Sequence, residues 1–153
     1  MDDILLLADK VRNTLILGES HFREFKSALE GRPDNKKPRL IKTICADIGE
    51  ALVSFANADG GAILIGVEDD GTITGIPHSE EDIQTMLNSI HTHIYHNQQL
   101  PLNNANKLVL ENKTILYFSV NKGTTMIYQL PDGRCVRRKD KSTMPASVDQ
   151  IQF

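Results

Sequence analysis

The chain has 153 residues, of which 40% are hydrophobic and 24% are charged, and this is the composition of an ordinary globular domain. No apolar run approaches the roughly 20 residues that cross a bilayer, the acidic N-terminus is too weakly apolar for a secretory signal, and Cys45 and Cys135 lack the spacing of a metal or redox pair. We therefore expect a cytoplasmic protein with a single domain over residues 1–153 and a core at about 15–150, either alone or as the N-terminal part of a longer protein.

The N-terminal part of the sequence predicts two helices and one strand. Apolar residues at helical spacing predict a short helix over residues 3–13, and a strand is predicted over 21–29. The Pro- and Lys-rich segment 30–39 is typical of a mobile loop. The segment 40–56 is the clearest helix, because its apolar residues form one stripe. Asn57 follows it and is a candidate to hydrogen-bond across the turn that ends this helix.

A second main helix and several strands are predicted further along the chain. The apolar run over 62–69 is typical of a central strand, and Ser79 is a suitable N-cap for a helix over 79–95. The remaining predicted strands are 107–110, 115–120, 125–130 and 135–138. This pattern predicts an α+β fold with a mixed or antiparallel sheet and two main helices.

The charge of the chain is unevenly distributed. The net charge of −3 argues against a protein that binds nucleic acid by bulk charge alone, but residues 32–42 and 134–141 each carry +4 and leave −11 on the rest of the chain. Such compact basic patches can bind a polyanion locally, although two solvated lysine-rich loops would give the same pattern. The side chains expected to contact phosphates are Lys36, Lys37, Arg39, Arg137, Arg138, Lys139 and Lys141.

A Glu-x-Lys pair lies in the predicted strand over 21–29. Because side chains alternate along a strand, Glu24 and Lys26 share one face while Phe25 points to the other. In metal-dependent nucleases such a pair has a chemical role, since the carboxylate holds a divalent cation and the ammonium orients water or stabilises charge on the phosphorane. Any amphipathic strand can contain the same pattern, so the pair alone is weak evidence for a nuclease.

Two further acids extend this candidate site. Glu19 precedes the predicted strand, and a bend would bring it back toward Glu24. Asp69 lies where the run 62–69 leaves the sheet, and functional groups concentrate at such positions. The simpler interpretation of Asp69 and Asp70 is turn chemistry, because Asp-Asp-Gly is typical of a hairpin. Mg²⁺ or Mn²⁺ would need one to three carboxylates, and the candidate ligands are Glu19, Glu24 and Asp69.

In their order along the chain, these motifs resemble those of the Schlafen/Alba-like domain family of the AlbA-2 type, in a bacterial member. The family pattern E-S-x-x-x-E-F-K matches residues 19–26, and a helix ending S-A-F-A-N-T-x-G-G before a strand ending G-V-x-D is matched by "LVSFANADGGAILIGVEDDGTITGI". The family's C-terminal strand, an Arg followed by small hydroxyl residues, is echoed by "VRRKDKSTMPASVDQI". Asp140 and Lys141 depart from the family, whose members often carry a glycine before the hydroxyl pair, and this difference in the loop puts an inherited substrate preference in doubt.

The resemblance implies one of two activities. Eukaryotic Schlafen members include metal-dependent endoribonucleases that cut transfer RNA with two glutamates and an aspartate. By motif, these acids map onto Glu19, Glu24 and Asp69, with Lys26 beside them. Bacterial relatives are described as DNA-binding domains, commonly joined to helix-turn-helix or ATPase regions.

The first hypothesis is therefore an endoribonuclease, dependent on Mg²⁺ or Mn²⁺, that acts on structured RNA and above all on transfer RNA. Its catalytic residues would be Glu19, Glu24, Lys26 and Asp69. RNA would be recognised mainly by shape, and a homodimer would build the two-lobed cradle of the eukaryotic members. The alternative is a non-catalytic DNA- or RNA-binding module of a larger regulatory or defence protein. A third interpretation is a protein-interaction domain, which would show no salt-dependent binding to polyanions.

Overall fold

The computed structural model describes the backbone of residues 2–147 and 151, and the side chains of these residues from Leu6 onward. Within this part of the chain the elements are α1 (Asp2–Leu17), β1 (Arg23–Lys26), β2 (Leu29–Arg32), β3 (Asn35–Pro38), α2 (Ile41–Ala56), β4 (Gly61–Ile65), α3 (Glu80–Thr92), β5 (Leu102–Leu110), β6 (Lys113–Val120), β7 (Val136–Lys139) and β8 (Ser142–Pro145). None of the helices described there is both long and apolar enough to cross a membrane.

A mixed four-stranded sheet organises the fold. Its strands lie in the order β1-β4-β6-β5. β1 runs parallel to β4, while the β4–β6 and β5–β6 pairs are antiparallel. Two separate hairpins, β2–β3 and β7–β8, accompany this sheet. The predicted α+β class with a mixed sheet is confirmed, with α1 as a third full helix.

Helices cover both faces of the sheet. Ile63 and Ile65 of β4 belong to a core shared with α2 and α3, whereas Leu64 between them belongs to a second core that contains Val11 of α1 and Phe25 of β1. Side chains alternate along a strand, so a strand buried on both faces needs a continuous apolar run. The run "AILI" in β4 supplies it.

The two main helices agree with their sequence predictions. α2 begins one residue after Leu40, and Ile48 and Phe55 of its apolar stripe are fully buried. α3 begins after Ser79, whose Oγ accepts a hydrogen bond from the backbone N–H of Asp82 at 3.1 Å. This hydrogen bond is the N-cap that the sequence predicts.

Helix α1 and strand β4 differ in length from their predictions. α1 continues to Leu17, and Ile4 and Leu5, which the prediction placed on its apolar side, lie outside the described side chains. β4 ends at Ile65 because Gly66 has a φ of 93°, which residues with a side chain rarely adopt. The hairpin β5–β6 contains both strands predicted for that region.

The segment 21–29 is not one strand, and the segment 30–39 is not a loop. β1 ends before Ser27, whose Oγ accepts a hydrogen bond from the N–H of Leu29 at 3.0 Å, so the chain turns before β2 begins. β2 and β3 then form an antiparallel hairpin around residues 33–34. Every residue of β3 is exposed, so this strand lacks the apolar alternation from which a strand is predicted.

The strand predicted over 125–130 is wrong, and strand β8 was not predicted. In the described part of the chain the segment 125–130 joins no ladder, and β7 pairs with β8 instead. Asp140 and Lys141 form the turn between these strands, and Asp140 has a φ of 54°. Aspartate tolerates this left-handed conformation better than most residues do. The turn therefore has the left-handed backbone conformation that glycine favours, although its residue here is Asp140.

Candidate nucleic-acid interface

The acids identified in the sequence lie on and beside β1, which is an outer strand of the sheet. β1 runs parallel to β4, with Glu24 opposite Ile63 and Lys26 opposite Ile65. Phe25 is buried on the α1 side of the sheet, so Glu24 and Lys26 face α2. The predicted alternation along this strand is confirmed.

Glu24 is buried against a cation from the C-terminal part of the chain. Its Oε2 accepts a hydrogen bond from Nη1 of Arg138, and the Arg138 side chain is only 1% exposed. Nη2 of Arg138 donates to the backbone carbonyls of Ser20 and Arg23 at 2.7 and 3.0 Å. The guanidinium also lies 5.0 Å from the centre of the Phe55 ring. Arg138 therefore joins β7 to the start of β1.

This position differs from the role that the sequence suggests for Arg138. As a phosphate contact it would have to reach solvent, but the alternation along β7 buries Val136 and Arg138 and exposes Lys139. The guanidinium is already hydrogen-bonded to a carboxylate and two carbonyls. Arg138 therefore positions Glu24 instead of offering its charge to a ligand.

Glu19 lies beside Glu24, as the predicted bend requires. Its Oε2 accepts a hydrogen bond from the backbone N–H of Phe25 at 3.0 Å. A strand directs alternate backbone groups to its two sides, and β1 uses the carbonyls of Phe22 and Lys26 to bond toward β4. The N–H of Phe25 therefore points to the open side of β1, where the Glu19 carboxylate receives it.

The environment of Glu24 changes its ionisation. Burial raises the pKa of Glu24 to about 7, the neighbouring Glu19 carboxyl adds to this rise, and the hydrogen bond and charge of Arg138 oppose it. Glu24 therefore retains a proton close to neutral pH.

Substituting Glu24→Gln is expected to alter how stability depends on pH. Since the pKa of Glu24 is raised from 4.5 when the chain folds, the folded protein holds a proton that the unfolded chain releases between about pH 4.5 and 7. The stabilisation that the raised pKa of Glu24 gives the folded protein is present below this window and is lost as the pH rises through it. Gln stays uncharged, so the free energy of unfolding of the variant relative to wild type should rise by on the order of 3 kcal/mol from pH 4.5 to 8.

Urea unfolding at several pH values across this window measures the effect. Glu30→Gln, on the exposed part of β2, controls for the loss of one carboxylate. If the difference in the free energy of unfolding between wild type and Glu24→Gln stays constant with pH, the raised pKa of Glu24 is contradicted.

A polar cleft with a volume of about 320 Å³ opens next to Glu24. Glu24 and Lys26 of β1 form one side, with Nζ of Lys26 3.9 Å from Oε1 of Glu24. Asp47 and Glu50 of α2 form another side. The β7–β8 hairpin closes the cleft with Lys141, Ser142 and Thr143. The cleft thus presents cations, carboxylates and hydroxyl groups together.

Both hairpins are connected to α2 near this cleft, although among their described residues only those of the β7–β8 hairpin line it. Arg39, at the end of the β2–β3 hairpin, places Nη2 2.5 Å from Oδ2 of Asp47 and donates from Nη1 to the carbonyl of Ser27 at 2.8 Å. On the β7–β8 hairpin, Oγ1 of Thr143 donates to Oγ of Ser54 at 3.1 Å. These contacts hold both hairpins beside the cleft.

Among the predicted phosphate contacts, the exposed side chains with free charge are the lysines Lys36, Lys37, Lys139 and Lys141. Within residues 2–147 and 151 none of these four forms an ion pair. Of the predicted arginines, Arg39 is paired with Asp47, whereas the half-buried Arg137 forms no ion pair within the described residues and its Nε has no partner. The four lysines and Arg137 are therefore the charges available to a polyanion.

Asp69 lies in a turn beyond the end of β4. The turn is closed by a hydrogen bond from the N–H of Glu68 to the carbonyl of Thr72 at 2.9 Å, and Asp69 is exposed in it. Asp70 accepts a hydrogen bond from the N–H of Thr72 at 2.9 Å through Oδ1. This is the turn chemistry that the sequence offers as the simpler explanation of this segment.

The carboxylates fit a bound Mg²⁺ or Mn²⁺ only in part. Glu19 and Glu24 are neighbours and offer oxygen ligands, which these ions prefer. However, one Glu24 oxygen bonds Arg138 and one Glu19 oxygen bonds a backbone N–H. In the described part of the chain no three His, Cys, Asp or Glu side chains are grouped so that they could hold a metal ion. Glu19, Glu24 and Asp69 as the ligands of one ion therefore stay a prediction.

Asn57 makes its contacts far along the chain instead of across the local turn. Its buried Nδ2 donates to the carbonyls of Tyr128 and Val136 at 2.8 and 2.9 Å, and its Oδ1 accepts from the N–H of Tyr128 at 2.8 Å. A side chain thus supplies the partners that a strand ladder would otherwise give to this segment. The motif "FANADGG" marks Asn57 in the sequence, but no local pattern indicates a partner 71 residues away.

A mixed sheet with helices on both faces and two basic hairpins beside a polar cleft defines a small α+β domain of the Alba-like type. More specifically, the chain belongs to the family described as "Schlafen, AlbA_2", whose family model matches residues 19–147. The matched range begins at Glu19 and extends past β8, so it contains the glutamate pair, the cleft and both hairpins. No curated protein matches the sequence.

Two solved structures share this fold. The DIP2311 protein from Corynebacterium diphtheriae is similar with a TM-score of 0.65 and 18% identity, over 95% of this chain and 27% of that chain. The N-terminal domain of a helicase RecG-related protein from Nitrosomonas europaea is similar with a TM-score of 0.52 and 18% identity, over 95% of each chain. The chain thus spans about a quarter of DIP2311 and nearly all of the second domain.

Proposed function

We propose that this domain binds nucleic acid through the polar cleft and the two hairpins beside it. The observation that carries the proposal is the set of unpaired, exposed lysines on both hairpins: the β7–β8 hairpin borders the cleft, and Arg39 at the end of the β2–β3 hairpin is paired with Asp47 of the cleft. Lysines placed in this way can neutralise phosphates along a backbone and release counterions. Family membership supports the proposal, and so does the RecG-related neighbour, which is named for a DNA helicase.

Structured RNA, with transfer RNA as the first candidate, is the proposed ligand, and DNA is the alternative. Lysines of this kind contact phosphates and carry no sequence information. Recognition through the hairpins would therefore depend on the path of the nucleic-acid backbone, which suits a folded RNA.

We also propose a homodimer, because two copies would double the basic surface. A monomeric mass at micromolar concentration would contradict the dimer.

Neutralising either hairpin is expected to weaken binding in a salt-dependent manner. Each of two double variants should make the fall of log K with log salt less steep by about 1.5, the value for two lost phosphate contacts. The variants are Lys36→Gln/Lys37→Gln and Lys139→Gln/Lys141→Gln. Fluorescence anisotropy with labelled transfer RNA and with duplex DNA, between low and moderate salt, gives both slopes.

The double variant Lys113→Gln/Lys122→Gln is the matched control, because it removes the same charge from two exposed lysines that form no ion pair within the described residues and lie outside the cleft and both hairpins. It should leave the slope unchanged. Equal losses of nucleic-acid affinity in all three variants would mean that binding depends only on the net charge of the protein. Absence of any salt-dependent binding would favour the protein-interaction hypothesis.

A metal-dependent endoribonuclease is the second candidate function. The observation in its favour is that the Glu19 and Glu24 carboxyls are neighbours at the edge of the cleft, with Lys26 beside them. Asp69 would have to join them, or RNA would have to supply the remaining ligands. Incubation with total transfer RNA and Mn²⁺ tests this activity, with EDTA, Glu24→Gln and Asp69→Asn as controls. Discrete fragments that disappear in all three controls would support it, whereas intact RNA that is still bound would leave a binding module.

A further inference from the structure

A second pocket lies on the opposite face of the sheet from the polar cleft. It has a volume of about 430 Å³ and lies between α1 and one end of the sheet, where β1 and β4 begin. Tyr117 and Ala62 at its base belong to the core on the α1 side, whereas the cleft beside Glu24 faces α2. The volume is within the usual range for small-molecule sites. Neither the glutamate pair nor the basic hairpins contribute to it.

An exposed aromatic ring forms one side of this pocket. Phe22 precedes β1 and is 48% exposed, although most large apolar side chains of this domain are buried. The neighbouring His21 ring meets the Phe22 ring edge-on, with centres 5.0 Å apart, and His21 Nε2 lies 2.7 Å from Oδ2 of Asp59. These contacts hold the ring in place while its exposed surface stays open to a planar partner.

Amide and hydroxyl groups line the same pocket. Asn104 of β5 donates from Nδ2 to Oγ of Ser119 at 2.9 Å, which fixes the orientation of the amide. Its Oδ1 has no partner among the described residues, so a hydrogen-bond acceptor is free beside an N–H that is still available. Asn103 lies next to it and is paired with Asn121. The pocket thus offers the donor and acceptor groups that read the edge of a nucleobase.

One cation lies at the pocket on the α1 side. Lys10 is exposed and lines the pocket, and its ammonium forms no ion pair within the described residues. An aromatic face, a polar edge and a free ammonium around one pocket are the three groups that bind an unpaired nucleotide: the ring stacks on the base, the amide meets its edge and the ammonium meets its phosphate.

We propose that this pocket binds an unpaired nucleobase, with Phe22 as the stacking ring, Asn104 on the base edge and Lys10 near the phosphate. The inference rests on the proposed function and narrows the ligand to nucleic acid with an unpaired nucleotide, such as a loop or a single-stranded end. A free nucleotide has the same chemistry and would bind in the same way.

The chain has no tryptophan, so Phe22→Trp introduces a single fluorescent reporter into the pocket. A base that stacks on this indole should quench its fluorescence. Ile16→Trp is the matched control, because Ile16 is 82% exposed on α1 and lies outside the pocket. The probes are adenosine and uridine monophosphates, a short single-stranded RNA and a blunt duplex of the same sequence.

We expect quenching of Phe22→Trp by the single strand and none by the duplex, with no change in Ile16→Trp. Phe22→Ala should weaken binding of the single strand about tenfold and leave duplex binding unchanged. Phe22→Tyr keeps an aromatic ring and should bind the single strand as tightly as wild type does. Lys10→Gln should make the fall of log K with log salt less steep by about one for the single strand. Unchanged melting temperatures of these variants would exclude misfolding.

The possible failures are distinguishable. If the hairpin variants weaken binding but Phe22→Trp is not quenched by the strand or the mononucleotides, the pocket is overturned and the proposed function stands. Equal quenching by the duplex would also overturn it, since a paired base cannot enter. If no strand binds but a mononucleotide quenches Phe22→Trp, the pocket holds a free nucleotide and the proposed function fails.

Discussion

Arg138→Ala is expected to destabilise the domain by about 3–5 kcal/mol, because it leaves the buried Glu24 carboxyl without its hydrogen-bond donor and a cavity in place of a large buried side chain. The variant also removes the donor to the carbonyls of Ser20 and Arg23 and the contact with the Phe55 ring. Chemical denaturation at neutral pH, read by circular dichroism, measures the change in the free energy of unfolding.

Lys139→Ala is the matched control, since Lys139 is the next residue of β7 and is exposed. Its free energy of unfolding should stay within about 0.5 kcal/mol of wild type, although its affinity for nucleic acid should fall. The double variant Arg138→Met/Glu24→Leu should recover part of the stability, because apolar side chains fill the space and neither member of the pair is left without its partner. A stable Arg138→Ala protein with reduced RNA affinity would instead make Arg138 a direct phosphate contact.

Asn57→Ala is expected to cost about 3 kcal/mol of stability, because it leaves three buried backbone groups of Tyr128 and Val136 without partners. Asn57→Asp should also be destabilising, since a carboxylate can accept from the N–H of Tyr128 but cannot donate to the two carbonyls. Thermal melting of both variants gives the ranking.

Asn13→Ala, at an exposed position of α1, is the control for asparagine removal and should be neutral or slightly stabilising because alanine favours helix. If Asn57→Ala melts like wild type, the segment 125–130 is held by its apolar contacts and by its hydrogen bonds to Gln98 and Tyr95. If it retains stability but loses nucleic-acid binding, Asn57 belongs to the binding surface.

The parts of the fold that sequence reasoning predicted are those with strong local patterns. α2 and α3 have apolar stripes, Ser79 is a recognisable N-cap, and the turn of the β5–β6 hairpin separates two apolar strands. The β2–β3 hairpin was missed because its residues are charged and exposed. The segment 125–130 has strand-like composition, but Tyr128 bonds the Asn57 side chain and Ile127 and Gln129 bond Gln98. Side-chain partners so distant in sequence leave no local trace.

The candidate site was predicted in the same uneven way. Strand alternation correctly placed Glu24 and Lys26 on one face, and the bend brought Glu19 back to them. The basic run that ends β7 was interpreted as one surface, although the same alternation buries Arg138 and exposes Lys139. The pairing of Arg138 with Glu24 spans 114 residues, so only the three-dimensional structure could show it.

Side chains occupy the open side of β1, an outer strand of the sheet. On the open side of β1, the Glu19 carboxylate takes the N–H of Phe25 and the Arg138 guanidinium takes the carbonyl of Arg23. No additional strand can align there while these side chains stay in place. A chain that lost Arg138 would expose a pairing edge as well as a buried acid, and would tend to self-associate as it loosens. Arg138 and Glu19 thus protect the domain against aggregation in the same positions in which they hold Glu24.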